Sequence, residues 1–388
     1  MAPANRKSAS PMPPGAYAAL TRRQFVAGTL WAGAAGTFAV GCDGSPGSSA
    51  GLGSGGAGAG GSGSGGSVSP GGSGGGAGGG AGGGGAGVDA AGGAAGDGAA
   101  TPADGADGPT ANDGPSSVAP GTIIDAHAHF WNRGGDVKLP PDLERVAKPL
   151  GVTGVVAIEA SADLTQNDFV LGLAANDTFL VGYSGRGSIG TPGFATLIRK
   201  YAADQFFRGV RIGDAPFMQA ANSDAVFSDM KLLADMDLHV EGLIQPGTLP
   251  AITALAPRLP TLRIIVDHVA GMTYNGGAVP PAFIANMTAA GAHPNVYCKV
   301  SALAEGTGNK TGTAPKDPGF YAPLLDEVWK AFGDDHLLYA SNWPVCLRAA
   351  TYDTVFGIAK GYVSTKSQEA AEKFFARNAL AAYKWIAR

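Results

Sequence analysis

Ile124-Asp125-Ala126-His127-Ala128-His129-Phe130-Trp131 decides how the rest of the chain is read. The stretch is short and largely apolar, and it closes on two histidines one residue apart. Alternation along a strand sends every second side chain to one face. Asp125, His127 and His129 are therefore expected on the same side of a first strand. Two imidazoles spaced in this way can meet one metal ion or one substrate oxygen. The plainer alternative is two hydrogen-bonded polar residues at a strand end.

Seven further β-branched runs follow, each succeeded by a helical pattern. With the first they give candidate strands at 122–128, 154–159, 179–183, 207–212, 239–244, 263–268, 295–300 and 337–341. Tyr321, Leu324, Leu325, Val328, Trp329 and Phe332 form one apolar helix face, as do Phe374, Phe375, Asn378, Ala379, Ala382 and Tyr383 near the end. Apolar strands separated by helices imply a parallel sheet covered on its outer face. Eight such units predict a closed (β/α)8 TIM barrel over 121–388. A doubly wound open sheet is the competing α/β architecture. No phosphate-binding glycine turn follows the first strand to support it.

Upstream the composition changes. Of the 63 glycines in 388 residues, a large share falls within 43–120, with Ser and Ala and almost no large apolar side chains. Such a segment cannot bury a core and reads as a flexible linker. Residues 1–42 read as an address. Arg22-Arg23 precede a modestly apolar run that ends in Phe38-Ala39-Val40-Gly41-Cys42, the pattern of a twin-arginine export signal closing on a lipobox. Cys42 is then the lipidated residue and the membrane anchor of an exported, periplasmic or membrane-anchored lipoprotein. A chance basic pair in a general secretion signal and a free thiol at Cys42 are the alternatives.

The net charge of −4 and the lack of a Lys/Arg cluster exclude a phosphate-tracking surface, so nucleic acid is not an expected partner. A small molecule is. Three cysteines do not make a disulfide framework, and Cys298 and Cys346 are expected as unpaired thiols.

In a barrel of this kind chemistry collects at the C-terminal strand ends. That rule sets aside His239, His293 and His336, which lie near strand starts, and keeps His127, His129 and His268. Arg211 ends strand four and Lys299 sits near the end of strand seven. Cations inside a barrel mouth need a counter-charge. A substrate carboxylate would supply it, and so would Glu159 or Asp267. Arg211, Lys299, Glu159 and Trp343 make up the candidate substrate-binding set.

The motif at 124–131, Arg208-Gly209-Val210-Arg211, Val266-Asp267-His268, Val296-Tyr297-Cys298-Lys299-Val300-Ser301 and Ser341-Asn342-Trp343-Pro344-Val345 occur in one order. In that order they resemble the amidohydrolase-2 family, especially its branch of sugar-lactone and 2-pyrone-4,6-dicarboxylate lactonases. Arg377-Asn378-Ala379 extends the resemblance to the last helix. It implies hydrolysis of a lactone or related ester bond of a small carboxylated or sugar-derived compound by an activated water. His127, His129, His268 and Asn342 are then the catalytic set. It also leaves metal dependence open. Some members hold one divalent ion, most often zinc, for which His127, His129 and His268 would be the ligands. The dicarboxylate lactonase type works without one. No bridging Lys ends strand four, which argues against two metals. The family usually has Asp where this chain has Asn342, and Asn cannot accept a proton at neutral pH. The base is left among His268, placed first, Glu159 and Glu305. A barrel that binds a ligand without turnover is the alternative, and a decarboxylase ranks below both.

Overall fold

The computed structural model describes residues 118–388; the expected export signal, linker and lipidation site at Cys42 lie outside them. Eight parallel strands form one sheet in sequence order. They are β1 (Ile124–His129), β2 (Gly154–Ile158), β3 (Leu180–Arg186), β4 (Phe207–Ile212), β5 (His239–Gly242), β6 (Arg263–Val266), β7 (Val296–Val300) and β8 (Leu337–Tyr339). The seam between β8 and β1 closes beyond the end of β8. There Asn342 N–H donates to His127 O at 2.9 Å and His129 N–H to Trp343 O at 2.7 Å. The expected TIM barrel is the architecture found.

Helices α1 (Pro140–Ala147), α2 (Thr165–Ala174), α3 (Phe194–Ala202), α4 (Asp224–Asp235), α5 (Leu249–Leu255), α6 (Pro281–Gly291), α7 (Pro318–Phe332) and α8 (Tyr352–Val363) follow the eight strands in turn. α7 starts on Asp317, whose side chain accepts from Gly319 N–H, and carries Pro at its first position. Its Tyr321, Leu324, Leu325, Val328 and Phe332 are buried, as the apolar spacing predicts. The layer between strands and helices is one continuous apolar core. The final segment, expected as a single helix face, is interrupted by a π turn at Lys373–Arg377.

That segment plugs the bottom of the barrel. Ala379, Ala382 and Tyr383 pack with Ile124, Ala126, Val156, Ile265 and Leu338. Two buried arginines at the strand starts take up free carbonyls of the last helical turn. Arg208 Nε donates to Tyr383 O at 2.9 Å and Arg263 Nε to Ala382 O at 2.8 Å. The first arginine of the Arg208–Arg211 run is therefore structural. The histidines expected near strand starts behave likewise: His239 is buried 2.9 Å from Ser184 Oγ, and His336 meets the carbonyls of Phe332 and Pro294.

Candidate active site

β1 delivers its two histidines to the barrel interior, but Asp125 does not accompany them. The pairing of β1 with β2 shifts register between Asp125 and Ala128, and a bulge reverses the alternation. Asp125 instead accepts from Ser341 N–H at 2.9 Å and from Tyr352 OH on α8 at 3.1 Å. The expectation of three residues on one side is corrected to two, His127 and His129.

Beneath them lies a fully buried charge cluster. Lys299 Nζ is 2.5 Å from Glu241 Oε1, 3.0 Å from Asp267 Oδ1 and 2.9 Å from His127 Nδ1. Tyr383 OH donates to the other oxygen of Glu241 at 2.9 Å. Lys299 is 0% exposed, so its ammonium does not reach the mouth. The expectation that it holds a substrate carboxylate is corrected: its counter-charges are internal. Burial raises the Glu241 carboxyl, and adjacent Asp267 raises it further. Burial, the largest influence, would raise Asp267 too, but Lys299 and then His127 act together against it, and that carboxyl lies well below the usual range.

The three imidazoles converge above this cluster. His127 and His129 approach to 3.0 Å between their Nε2 atoms, and the His268 ring centroid lies 4.5 Å from that of His127. Burial, then Lys299, pushes His127 well below the ordinary histidine range. Burial, then Arg211, brings His129 to about 3, and burial brings His268 to about 4. All three are neutral at pH 7. His129 Nδ1 faces the carbonyls of Ile158 and Glu159 at 3.2 and 3.1 Å, so it carries the hydrogen and leaves Nε2 as an acceptor. With Lys299 donating to His127 Nδ1, His127 Nε2–H points at His129.

His268 is held from two sides. Its Nδ1 is 2.7 Å from Ser301 Oγ, and its backbone starts a turn in which His268, Val269 and Ala270 all have φ between 51 and 55°. Non-glycine residues rarely adopt this left-handed region. Ala302 after β7 and Asn342 after β8 share it. Strained residues thus collect at the top of the barrel, a pattern that accompanies functional sites.

The donor set fits one divalent ion when His127 is in its other tautomer. Nδ1–H then faces Asp267 Oδ1, 3.3 Å away, and both Nε2 lone pairs are free. At 3.0 Å from each other, the two Nε2 atoms are close enough to hold one ion together. His127, Asp267 and His268 also offer ligand atoms within 4.8 Å of one another, and Asp267 Oδ2 has no hydrogen-bond partner among the described residues.

At the mouth, Arg211 Nε donates to Glu159 Oε1 at 3.0 Å, and Arg211 Nη1 is 3.9 Å from Asp267 Oδ2. Arg186, at the end of β3, comes within 3.9 Å of the same Glu159 oxygen. It was missed from the sequence because strand three was expected to end at Tyr183. Asn342 points Nδ2 at Glu305 Oε1 at 2.8 Å. The second Glu305 oxygen is buried without a hydrogen-bond partner among the described residues, and burial raises this carboxyl. Trp343 is turned outward. It packs on Phe130 and lines a groove with Arg145, Leu347 and Tyr352, so its expected substrate contact is corrected. Cys298 and Cys346 are buried and unpaired among the described residues.

The family model described as "Amidohydrolase" matches residues 124–385, nearly the whole barrel. The chain belongs to the amidohydrolase family, and it is a hydrolase. Among curated proteins it is 30% identical over 242 residues to an L-fucono-1,5-lactonase of Burkholderia ambifaria, covering 57% of this chain and 80% of the relative. Among solved structures it is similar to a Burkholderia multivorans amidohydrolase crystallised with bound zinc, with a TM-score of 0.62 and 22% identity over 68% of this chain and 99% of that one. It is also similar to a probable 2-pyrone-4,6-dicarboxylic acid hydrolase from Acinetobacter baumannii with citric acid bound. There the TM-score is 0.54 and the identity 16%, over 68% and 99% of the two chains.

Proposed function

We propose that this chain opens the ring ester of a small carboxylated or sugar-derived lactone, using water. The observation that carries this reading is the meeting of three neutral imidazoles at one point beside the Arg211 guanidinium. The lactonase relatives support it. His127, His129 and His268 line the carbonyl end of the site, and His127 Nε2–H, which rests on His129 Nε2, turns to the developing oxyanion as its donor. Arg211 stands at the mouth to orient the substrate. A zinc or similar ion held by His127, His129 and His268 would polarise the carbonyl when bound.

Asn342 leaves the proton-accepting role to a neighbour. Glu159 is committed to Arg211, and His268 is a weak base with its Nδ1 tied to Ser301. Glu305 has an oxygen without a partner among the described residues and a carboxyl that burial raises, which suits a general base. Glu305 takes a proton from water as the water oxygen bonds to the carbonyl carbon. The ring C–O bond then breaks, and the departing oxygen takes that proton to give a hydroxy acid. The rate is expected to rise with pH through the Glu305 ionisation, because only the carboxylate accepts the proton. Glu305→Gln should lower kcat by about 10²–10⁴-fold and remove that acid limb. A pH–rate profile reads both. An unchanged limb returns the role to His268.

The reaction class is tested on three substrate types: lactones, simple amides and aromatic carboxylic acids. Acid release from lactones alone is expected. Carbon dioxide release from the third would place the chain with decarboxylases. We further propose that the enzyme is exported through the Arg22-Arg23 signal and anchored by Cys42. Cys42→Ala should then move the protein from the membrane pellet to the soluble fraction, read by fractionation and immunoblot; no redistribution contradicts the anchor.

A further inference from the structure

We infer that Arg186, with Arg211, forms the carboxylate-binding end of the substrate site and makes carboxylated lactones the preferred class. This rests on the lactonase reading above. Lys299, the cation the sequence offered as Arg211's companion, is taken up by Glu241 and Asp267 beneath the histidines. At the mouth, β3 and β4 pair Arg186 directly beside Arg211. Their shared acid is Glu159, whose Oε1 accepts from Arg211 Nε at 3.0 Å and lies 3.9 Å from Arg186 Nη1. Arg211 is hydrogen-bonded to Glu159 and also lies 3.9 Å from Asp267 Oδ2, whereas the Arg186 guanidinium has among the described residues only the distant side of the shared Glu159. Its Nε is buried without a hydrogen-bond partner among the described residues, while the side chain as a whole is 33% exposed. It reaches solvent at one end and lacks a partner at the other.

The backbone that carries Arg186 is built to hold it there. Asn167 of α2 is fully buried. Its Oδ1 accepts from Arg186 N–H at 2.8 Å and from Tyr183 OH at 2.9 Å, and its Nδ2 donates to Arg186 O at 2.9 Å. The approach requires the glycine before Arg186. A Cβ at Gly185 would stand 2.5 Å from the Phe207 ring and 2.9 Å from Asn167 Oδ1. An internal amide that takes both polar groups of one backbone unit fixes where that guanidinium emerges. A planar guanidinium recognises a carboxylate through two parallel N–H donors, and a sugar hydroxyl does not match it in charge.

The test compares the full-length enzyme with its Arg186→Gln variant on two lactones of the same ring size, one neutral and one bearing a carboxylate. The preference ratio, kcat/KM for the carboxylated lactone over that for the neutral one, is expected to fall at least about tenfold in the variant, mainly through KM. An equal ratio in both proteins, or a wild-type preference for the neutral lactone, overturns the proposal. Calorimetric binding of an open-chain hydroxy dicarboxylate needs no turnover and separates the two readings. Wild-type binding that weakens at least about tenfold in the variant, with no lactone opened, keeps the carboxylate site and removes the lactonase reading. Lactones opened without diacid binding and without a change in ratio do the reverse.

Discussion

Replacing His127 and His129 together by Asn is expected to lower kcat/KM on any accepted lactone by about 10³-fold or more, with the barrel still folded. Loss of a single preorganised oxyanion donor costs about 10²–10³-fold in well-studied cases. The double change removes the imidazole pair that meets at 3.0 Å above Lys299. Asn keeps polar atoms in place of the imidazoles, so the neighbouring carbonyls and ammonium are not abandoned to an apolar surface. Circular dichroism and chemical denaturation establish that the fold survives, and steady-state kinetics reads the loss. Near-normal turnover in a folded double variant would remove these residues from the chemistry. The same variant also separates the two uses of the site: if the wild type binds zinc, the variant should not.

The second large effect is on stability. Lys299→Met leaves the side chains of Glu241 and Asp267, both 0% exposed, without the ammonium that sits 2.5 and 3.0 Å from them. Removing one partner of a buried ion pair strands the other charge in low dielectric and costs about 3–5 kcal/mol. Met retains the stem volume, so little of the loss comes from a cavity. Urea denaturation of the two proteins gives the difference. A second substitution, Glu241→Gln in the Met variant, should recover part of it, because the amide needs no counter-charge and still offers an oxygen to Tyr383 OH. A loss below about 1 kcal/mol would mean that the cluster is already neutral without Lys299. Activity should fall as well, since the His127 hydrogen is placed by this ammonium.

Much of the scaffold was legible in the sequence, because a parallel barrel repeats one signal eight times and the apolar runs carry it. Strand ends were less so, and two of them matter. Ser184-Gly185-Arg186 has little intrinsic strand preference, yet β3 runs through it. Pairing with β4 and the Asn167 side chain, well separated in sequence, decide its conformation. The expected end at Tyr183 therefore hid Arg186. The bulge in β1 had no glycine or proline to announce it. It is accompanied by bonds from Asp125 to Ser341 and Tyr352, 216 and 227 positions away, which local pattern cannot reveal. Strict alternation consequently placed Asp125 with the histidines. Depth along the barrel axis was equally invisible. The pattern could put Lys299 inside, but its level relative to His127 depends on the stagger of β5, β6 and β7. Trp343 follows the inward Asn342 and faces the other way, which a motif read as a block does not convey. The convergence of His127, His129 and His268, in contrast, followed from a simple rule about strand ends.

The most direct measurement is the rate of acid release from a carboxylated 1,5-lactone at constant pH near 7, with purified full-length enzyme and with the spontaneous opening subtracted. The account predicts saturable hydrolysis well above the spontaneous rate, giving one hydroxy acid per lactone consumed. Acid release no faster than the spontaneous opening, at any lactone concentration and with or without added zinc, would contradict it.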